Sequence, residues 1–456
     1  MDPFASPHNL DKQLQFLLEE ASSNLCHWLA DSSSKSPIPD AFVLPNLSPQ
    51  IEGAANNVLL RELKLLMDGA YRPSHPGALA HLDPPPLSVS IVGELICAGL
   101  NNNLLAEELS PSLSLLERQL CEWFSKKLGL GSLSGGIAAS GGSLSNLMAL
   151  VLARNIAGLE SDPKSVFFAS EDAHVSLTKA VRIMGLNQDS LQRIPTDEKG
   201  KLDISQLSSI FKRIRSEGRK CFAVVATAGT TVRGAVDPLH EISNFCKKEN
   251  IWLHIDGAIG GVFGLSEITS KCIGGFPFAN SITVNPQKLL GIPKTSSLLL
   301  VANKEHLSSV FSTGLPYVEP IEGNNFHLGE LGIQGTRSAE SLKLWIGLRH
   351  LGESGIEQLL LNAIKRKCYL ESIIDSSKFK IISGPLHLLA FTPLHYNSSQ
   401  AFDWAMNTRN LLLANKFMLS RPIYDDRYYL KAVLGNPNTQ LEDLKSLADL
   451  INQSII

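Results

Sequence analysis

The sequence predicts an α/β protein with a mostly parallel central sheet and helices on both of its faces. Four short segments are apolar along their whole length, namely VFFAS (166–170), CFAVVAT (221–227), IWLHI (251–255) and SITVN (281–285). Continuous apolar runs of this kind are typical of strands that are buried on both faces. Tens of residues separate successive runs, which leaves room for the crossover helices that parallel strands require.

The rest of the chain completes three predicted units. Helices are expected over 13–30, 56–68 and 113–128, and a fifth strand is expected in SLLLVA (297–302). Three prolines after Asp83 cannot continue a helix and therefore mark a boundary. A strand in YYLKAVLGN and a closing helix in LEDLKSLADLINQSI indicate a small α+β unit at the end. The expected units are an N-terminal helical segment (1–85), a large cofactor-binding domain (86–350) and a small C-terminal domain (351–456).

The composition argues against several classes of protein. Hydrophobic residues make up 44% of the 456 residues, enough for a large core, and only 19% are charged, which fits a large interior or buried oligomer faces. The 41 Lys and Arg residues nearly balance the 44 Asp and Glu residues, so no nucleic-acid binding is expected. No two of the seven cysteines form a CxxC pair, so no metal site is predicted. With no signal-peptide pattern and no apolar stretch long enough to span a bilayer, we expect a cytoplasmic protein without a membrane partner.

Polar residues follow three of the predicted strands at their carboxyl ends. Thr227 ends one strand, Asp256 directly follows the next, and Asn285 ends the third. Gln287 and Lys288 come shortly after Asn285. Because ligands of open α/β sheets bind outside the carboxyl ends of the strands, these residues predict a site at that edge.

A Gly/Ser turn precedes an apolar helix in SGGSLSNLMALVLAR (140–154). Free backbone N–H groups and a positive dipole end make such a turn suitable for a phosphate. The motif lacks the lysine of a P-loop and does not follow the GxGxxG pattern, so the phosphate belongs to something other than a nucleotide. Pyridoxal 5'-phosphate (PLP) meets all of these requirements, because it needs a lysine for its aldehyde and a carboxylate for its ring nitrogen.

At this point the chain resembles the PLP-dependent amino-acid decarboxylases of group II, the glutamate, cysteine-sulfinate and aromatic-L-amino-acid decarboxylases, which have fold type I. The matching stretches, in chain order, are HLDPPP, NNNLLAEELSP, SGGSLSNLMAL, EDAHVSLTKA, ATAGTTVRGAVDPL, WLHIDGAIGG, SITVNPQKLLG and IQGTRSAESLKLW. The resemblance runs from about Ser74 to the C-terminus. It implies a carboxy-lyase that converts an L-amino acid, acidic or aromatic, to its amine and CO2. It also implies a homodimer with the active site at the interface.

The resemblance implies a role for individual residues as well. Lys288 would bond the cofactor, Asp256 would pair with its ring nitrogen, and His174 would stack on its ring. The other residues implied at the cofactor are Gly142, Ser143 and Asn285 at the phosphate, Thr227 and Ala258 near the ring, and Gln287 beside the lysine.

Two further residues are implied at the substrate. Tyr317, which lies 29 residues after Lys288, resembles the tyrosine of a mobile loop that returns a proton to the substrate carbon. Arg337 of IQGTR lies where the family has an arginine near the substrate. The chain departs from the family in NPQK, where NPHK is usual, and in DGAIGG, where DAAYGG or DAAWGG is usual. These departures concern the substrate and the catalytic efficiency rather than the fold.

The residues leave other interpretations open. Tyr317 could be an ordinary loop tyrosine, Arg337 a salt-bridge partner, and the Gly/Ser turn a helix cap. The same cofactor also supports transamination, β-elimination and decarboxylation coupled to oxidative deamination. Gln287 in place of histidine keeps open a non-catalytic homologue that retains the fold.

Overall fold

A computed structural model describes residues 4–319 and 326–455 of the chain. Its α-helices are Lys12–Ala30 (α1), Asn56–Asp68 (α2), Ser88–Leu100 (α3), Pro111–Lys127 (α4), Gly142–Ile156 (α5), Ser176–Ile183 (α6), Ile204–Ser216 (α7), Leu239–Glu249 (α8), Glu267–Ser270 (α9), Glu305–Phe311 (α10), Ser341–Ile373 (α11), Ser398–Ala414 (α12) and Leu441–Gln453 (α13). Its strands are Gly135–Ala139 (β1), Val166–Ser170 (β2), Leu191–Ile194 (β3), Cys221–Thr227 (β4), Trp252–Gly257 (β5), Ser281–Val284 (β6), Ser297–Val301 (β7), Phe379–Ser383 (β8), Leu388–Pro393 (β9), Ile423–Tyr424 (β10), Arg427–Tyr428 (β11) and Leu430–Val433 (β12).

The large domain is built on a seven-stranded sheet with the strand order β1-β7-β6-β5-β4-β2-β3. Neighbouring strands are parallel from β6 to β3, whereas β7 runs antiparallel to both β1 and β6. Successive side chains point to opposite faces, so Phe167 and Phe168 enter two different hydrophobic cores. Helices α4, α7 and α8 pack on one face and α5 and α6 on the other. The predicted α/β class with a mostly parallel sheet is confirmed.

The four continuous apolar runs are all strands of this sheet, which are fully or almost fully buried. Two strands of this seven-stranded sheet were not predicted. The first, β1, has the sequence GGIAA, and its glycines hide the apolar run that marks the other strands. The second, β3, lies at the edge of the sheet with three of its four residues only partly buried or exposed, so it lacks the signature of a central strand.

The C-terminal part contains a three-stranded antiparallel sheet in the order β12-β9-β8. The predicted strand in YYLKAVLGN and the predicted closing helix are confirmed as β12 and α13. Contacts cross both expected domain boundaries. Leu79 bonds through its backbone to Met418 and Val433, and α11 continues past residue 350 with a break in helical geometry at Gly352. The division into three units therefore stays a prediction.

Helices α1 and α2 expose most of their surface. Neither helix has a buried residue, although both carry several leucines. Leu63 of α2 and Val92 of α3 are each about half exposed. Within the described residues, no helix combines the length and apolar character needed to cross a bilayer.

Candidate active site

The carboxyl ends of β4, β5 and β6 open onto one cavity of about 270 Å³. The strand register places Thr227 beside Asp256, and Asp256 beside Thr283. Every residue predicted to hold the cofactor lines this cavity, namely Gly142, Ser143, His174, Thr227, Asp256, Ala258, Asn285, Gln287 and Lys288. The structure therefore brings together the whole set that the sequence predicted at the cofactor.

Lys288 follows β6 in a tight turn, in which its backbone N–H donates to the carbonyl of Asn285 at 3.1 Å. Burial lowers the pKa of the Lys288 side chain, and the carboxylates of Asp256 and Asp83 oppose this shift. A lower pKa increases the fraction of neutral amine. The neutral amine is the form that attacks an aldehyde carbon, so this environment prepares Lys288 as a nucleophile.

Asp256 is a buried carboxylate at the end of β5. Its Oδ1 accepts a hydrogen bond from the backbone N–H of Ala258 at 3.1 Å, and its Oδ2 accepts one from Nδ2 of Asn146 at 2.8 Å. Both donors are uncharged, so they orient the carboxylate without neutralising it. Asp256 can therefore pair with a cationic group that enters the cavity.

A cradle for an anion lies where α5 begins. Gly141 has a φ of 117°, which favours glycine, and a Cβ on Gly142 would lie 2.8 Å from Nδ2 of Asn285. The orientation of Asn285 is fixed because its Oδ1 accepts a hydrogen bond from Oγ of Ser297 at 2.7 Å. The start of α5, with Ser143 in its first turn, presents backbone N–H groups and the positive end of the helix dipole. This arrangement suits a phosphate.

Thr227 and Gln287 contribute side-chain polar groups to the same cavity. The Thr227 Oγ1 is buried and has no hydrogen-bond partner within the described part of the chain. Gln287 uses its Oε1 to accept a hydrogen bond from the backbone N–H of Ser296 at 2.6 Å, which leaves its Nε2 as a donor. The unpaired hydroxyl is a specific reason to expect a polar ligand here, because a buried polar group normally has a partner.

His174 precedes α6 and is exposed on the cavity side. Its Nδ1 accepts a hydrogen bond from the backbone N–H of Ser176 at 3.2 Å. Partial desolvation lowers the pKa of His174, Asp256 opposes the shift and Lys288 adds to it. The imidazole is therefore mostly neutral at neutral pH, and its flat face suits stacking against an aromatic ring.

Arg337, which was expected near the substrate, does not line this cavity. Its Nη1 and Nη2 donate to the carboxylate of Glu117 at 2.8 and 2.5 Å, and both side chains are buried. Glu117 also accepts a hydrogen bond from the backbone N–H of Ala138. A buried carboxylate requires a cation of this kind, so the geometry favours the salt-bridge interpretation of Arg337 over substrate contact.

Tyr317 also lies outside the cavity. Its side chain is 71% exposed, and it belongs to the irregular segment that follows α10. The chain from 320 to 325, next to this tyrosine, is outside the described residues. The role of Tyr317 as a proton donor therefore requires a movement of its loop and stays a prediction.

Sequence reasoning missed three residues at or behind this site, of which Asn146 lines the cavity. Asn146 lies one helical turn after Gly142 on α5, and His254 lies two positions before Asp256 on β5. Both spacings place the residue on the face of a functional neighbour, and this periodicity was a usable signal. Lys431 of β12 offered no such signal, because only the tertiary packing of the C-terminal sheet brings it to Thr231 at the cavity.

Comparison with known proteins agrees with this geometry. Residues 43–391 match the family model of the pyridoxal-dependent decarboxylase conserved domain. The aromatic-L-amino-acid decarboxylase of Bacillus atrophaeus is 30% identical, and the match covers 81% of this chain and 79% of that protein. The acidic amino acid decarboxylase of Xenopus tropicalis is also 30% identical, with coverage of 80% and 72%.

The fold has a close counterpart among solved structures. The crystal structure of Oryza sativa TDC with PLP and tryptamine has a TM-score of 0.91, with 20% sequence identity and 98% coverage of both chains. The family match extends over most of the chain and includes every strand-end residue of the cavity. The chain therefore belongs to the group II PLP-dependent amino-acid decarboxylases and is a PLP-dependent carboxy-lyase of fold type I.

Proposed function

We propose that this protein decarboxylates an L-amino acid with an acidic side chain. The observation that carries this proposal is Lys431, a buried lysine that does not itself line the cavity. Its Nζ donates to the carbonyl of Thr231, a residue that does line the cavity, at 3.4 Å. Burial lowers the pKa of Lys431 to about 8; the charge of Lys288 adds to the shift and Asp83 opposes it. Within the described residues no carboxylate forms an ion pair with Lys431, so a carboxylate of the substrate can supply that partner.

The side-chain carboxylate of the substrate is a better partner for Lys431 than the α-carboxylate. An ion pair to the α-carboxylate would stabilise the charge that the reaction removes, and would therefore raise the barrier to loss of CO2. Among the described residues, no Phe, Tyr or Trp lines the cavity or the small second pocket that Lys288 also lines. An aromatic substrate would find little complementary surface among these lining residues.

The cavity fits PLP on three independent features. The start of α5 suits the phosphate. Among the residues that the structure describes, the buried hydroxyl of Thr227 has no hydrogen-bond partner and Asp256 forms no ion pair. When bound, PLP supplies an electron-withdrawing ring that stabilises the electron pair left on the substrate carbon as CO2 departs.

The residues of this chain would then divide the work as follows. Lys288 would hold the cofactor through its Nζ and release it to the incoming amine. Asp256 would keep a proton on the ring nitrogen, and His174 would fix the plane of the ring by stacking. Tyr317 would donate a proton from its hydroxyl to the substrate carbon after its loop closes and excludes water.

A panel of L-amino acids tests the substrate assignment, with CO2 and amine as the measured products and added PLP. We expect release from acidic amino acids, and none from the Lys288→Ala variant. The Lys431→Met variant should raise KM for the acidic substrate about tenfold or more, because an ion pair is lost. Lys294→Met is the matched control, since Lys294 is half exposed and already paired with Asp83 at 2.7 Å.

Other results would contradict the proposal. Faster amine release from aromatic amino acids, with no effect of Lys431→Met, would refute the acidic assignment. Keto acid, ammonia or aldehyde in place of amine would indicate one of the other PLP reactions. A complete absence of product and of lysine-bound cofactor absorbance would indicate a non-catalytic homologue.

We also propose that the protein is a cytoplasmic homodimer. Several leucines of α1 and α2 and Val92 of α3 are exposed, and a second copy would cover such apolar side chains. All seven cysteines are free, as suits a reducing compartment. Light scattering should give the mass of a dimer. Leu63→Asp should lower this mass, whereas the control Leu133→Asp, at an exposed leucine outside these three helices, should leave it unchanged. A monomer at micromolar concentration would refute the assembly.

A further inference from the structure

We propose that a directed chain of hydrogen bonds, running from Trp252 through Ser281, His254 and Asn146, fixes Asp256 as the acceptor for the ring nitrogen of the cofactor. His254 and Asn146 are then positioning residues of the reaction. The inference depends on PLP binding at this cavity and is independent of which amino acid is the substrate. These positioning residues are buried and lie behind the residues that face the cofactor.

The direction of the chain follows from its first member. The indole N–H of Trp252 can only donate, and it donates to Oγ of Ser281 at 2.8 Å. The Ser281 hydroxyl hydrogen then points to Nδ1 of His254, which lies 2.9 Å away. We assign the proton of His254 to Nε2, which lies 3.1 Å from Oδ1 of Asn146, an atom that can only accept.

The amide of Asn146 is held in a single orientation. Its Oδ1 also accepts a hydrogen bond from Oγ1 of Thr283 at 2.7 Å, and its Nδ2 donates to Oγ of Ser176 at 3.1 Å and to Asp256 at 2.8 Å. A reversed amide would place its oxygen against the carboxylate of Asp256. It would also place its N–H groups against the donors that now reach Oδ1, so the reversal would lose several hydrogen bonds at once.

The charge state of His254 matters to Asp256. Burial lowers the pKa of His254 to about 4, with Asp256 opposing the shift, so the imidazole is neutral at physiological pH. A cationic imidazole would pair electrostatically with Asp256 and compete with the ring nitrogen of the cofactor. The neutral chain orients the carboxylate and leaves its charge available.

The burial of this chain argues against a role in packing alone. Asn146, His254, Ser281 and Thr283 are at most 1% exposed. Apolar residues of similar size would fill the same space without the cost of burying polar groups. The polar chain is fully paired. It ends at Asp256, the one carboxylate that lines the cavity within the described part of the chain, which indicates that the chain of hydrogen bonds serves to orient Asp256.

The protonation state of the cofactor's ring nitrogen tests the proposal. PLP labelled with 15N at the ring nitrogen is bound to the holoenzyme, and its 15N chemical shift is measured between pH 6 and 9. The groups that face Asp256 and titrate are Lys288, His174 and His254. In the wild type we expect the 15N chemical shift of a protonated ring nitrogen throughout this pH range.

Two variants at His254 separate positioning from folding. His254→Leu removes the donor to Asn146, so we expect the ring nitrogen to lose its proton within this pH range and the cofactor dissociation constant to rise at least about tenfold. His254→Gln places an amide N–H near the position of Nε2 and should restore the shift of the wild type. An unchanged 15N shift in His254→Leu would overturn the proposal.

A milder pair of variants covers the case in which His254→Leu does not fold. Trp252→Phe removes only the first donor of the chain and should move the 15N shift in the same direction by a smaller amount. Trp404→Phe is the matched control, because it removes an equivalent Trp–Ser hydrogen bond in the C-terminal part. Equal 15N shifts in these two variants would also overturn the proposal. No bound label in the wild type would instead refute the cofactor site itself.

Discussion

Removal of the unpaired hydroxyl of Thr227 should change the stability of the cofactor-free protein and its affinity for the cofactor in opposite directions. The Oγ1 of Thr227 is buried at the edge of the cavity, whereas its backbone N–H is already bonded to the carboxylate of Asp237 at 2.7 Å. The Thr227→Val variant keeps the shape of the side chain and removes the hydroxyl. We expect this variant to stabilise the cofactor-free protein and to weaken cofactor binding.

The expected magnitudes follow from the cost of an unpaired polar group. A buried hydroxyl without a partner costs about 1–3 kcal/mol, so the cofactor-free variant gains roughly that amount. The unfolding entropy of a chain of this length is on the order of 1 kcal/mol per degree, so its thermal midpoint should rise by about 1–3 °C. A lost hydrogen bond to a charged ligand is worth about 1.5–3 kcal/mol, which raises the PLP dissociation constant roughly ten- to hundredfold.

Calorimetry of the cofactor-free protein and a spectroscopic titration with PLP measure the two effects. Ser114→Ala is the control, because the Ser114 hydroxyl is also buried, has no partner among the described residues, and does not line the cavity. The control should raise the thermal midpoint and leave the PLP affinity unchanged. A thermal midpoint that does not rise in Thr227→Val would refute the reasoning, since it would show that the hydroxyl already has a partner, such as an ordered water.

Three further predictions concern Gly142, Glu117 and Lys431. Gly142→Ala places a Cβ 2.8 Å from the amide nitrogen of Asn285 and should weaken PLP binding about tenfold or more by titration, with an unchanged circular dichroism spectrum. Glu117→Gln leaves the buried charge of Arg337 unpaired and should lower the free energy of unfolding by about 3–5 kcal/mol in denaturant titrations; a loss below 1 kcal/mol would contradict the buried ion pair. The pKa of Lys431 is about 8 in the folded protein and about 10.4 when unfolded, so the unfolded chain binds more protons between these values. Its contribution to stability should therefore rise by about 2 kcal/mol from pH 8 to 10, and Lys431→Met should abolish this rise; equal pH dependence in both proteins would contradict it.

The sheet could be predicted from sequence wherever burial was complete. Strands β2, β4, β5 and β6 are buried on both faces, so each of them reads as a continuous apolar run. The glycines of β1 carry no such signal, and its place in the sheet depends on pairing with β7, far along the chain. Local sequence therefore identified the centre of the sheet and missed two of its seven strands.

The residues of the candidate site also divide into those that the local sequence identified and those that only the fold reveals. Residues next to a strand end or a helix start could be predicted, because a short stretch of chain fixes both the backbone and the direction of the side chain. Lys431 and Arg337 lie on segments whose partners are set by tertiary packing. Sequence identifies each as a cation, but only the fold shows that Arg337 meets Glu117 whereas Lys431 has no carboxylate partner within the described residues.

Asp237 and Asp256 show why burial alone does not identify a functional carboxylate. Both are almost fully buried near the carboxyl ends of neighbouring strands. Asp237 accepts hydrogen bonds from the backbone N–H groups of Leu202 and Thr227 at 2.8 and 2.7 Å, and burial raises its pKa to about 7. Its partners are main-chain groups, so it joins two segments of the fold.

Asp256 differs from Asp237 in the source of its hydrogen bonds and in what it faces. One of its oxygens is held by a side chain, that of Asn146, which is itself oriented by His254, and the carboxylate lines the cavity. A carboxylate held by backbone donors is a structural link, whereas one held by an oriented side chain at an open edge remains available to a ligand cation. The second arrangement is the one that a protonated pyridine nitrogen requires, and it can be recognised in a structure before any ligand is bound.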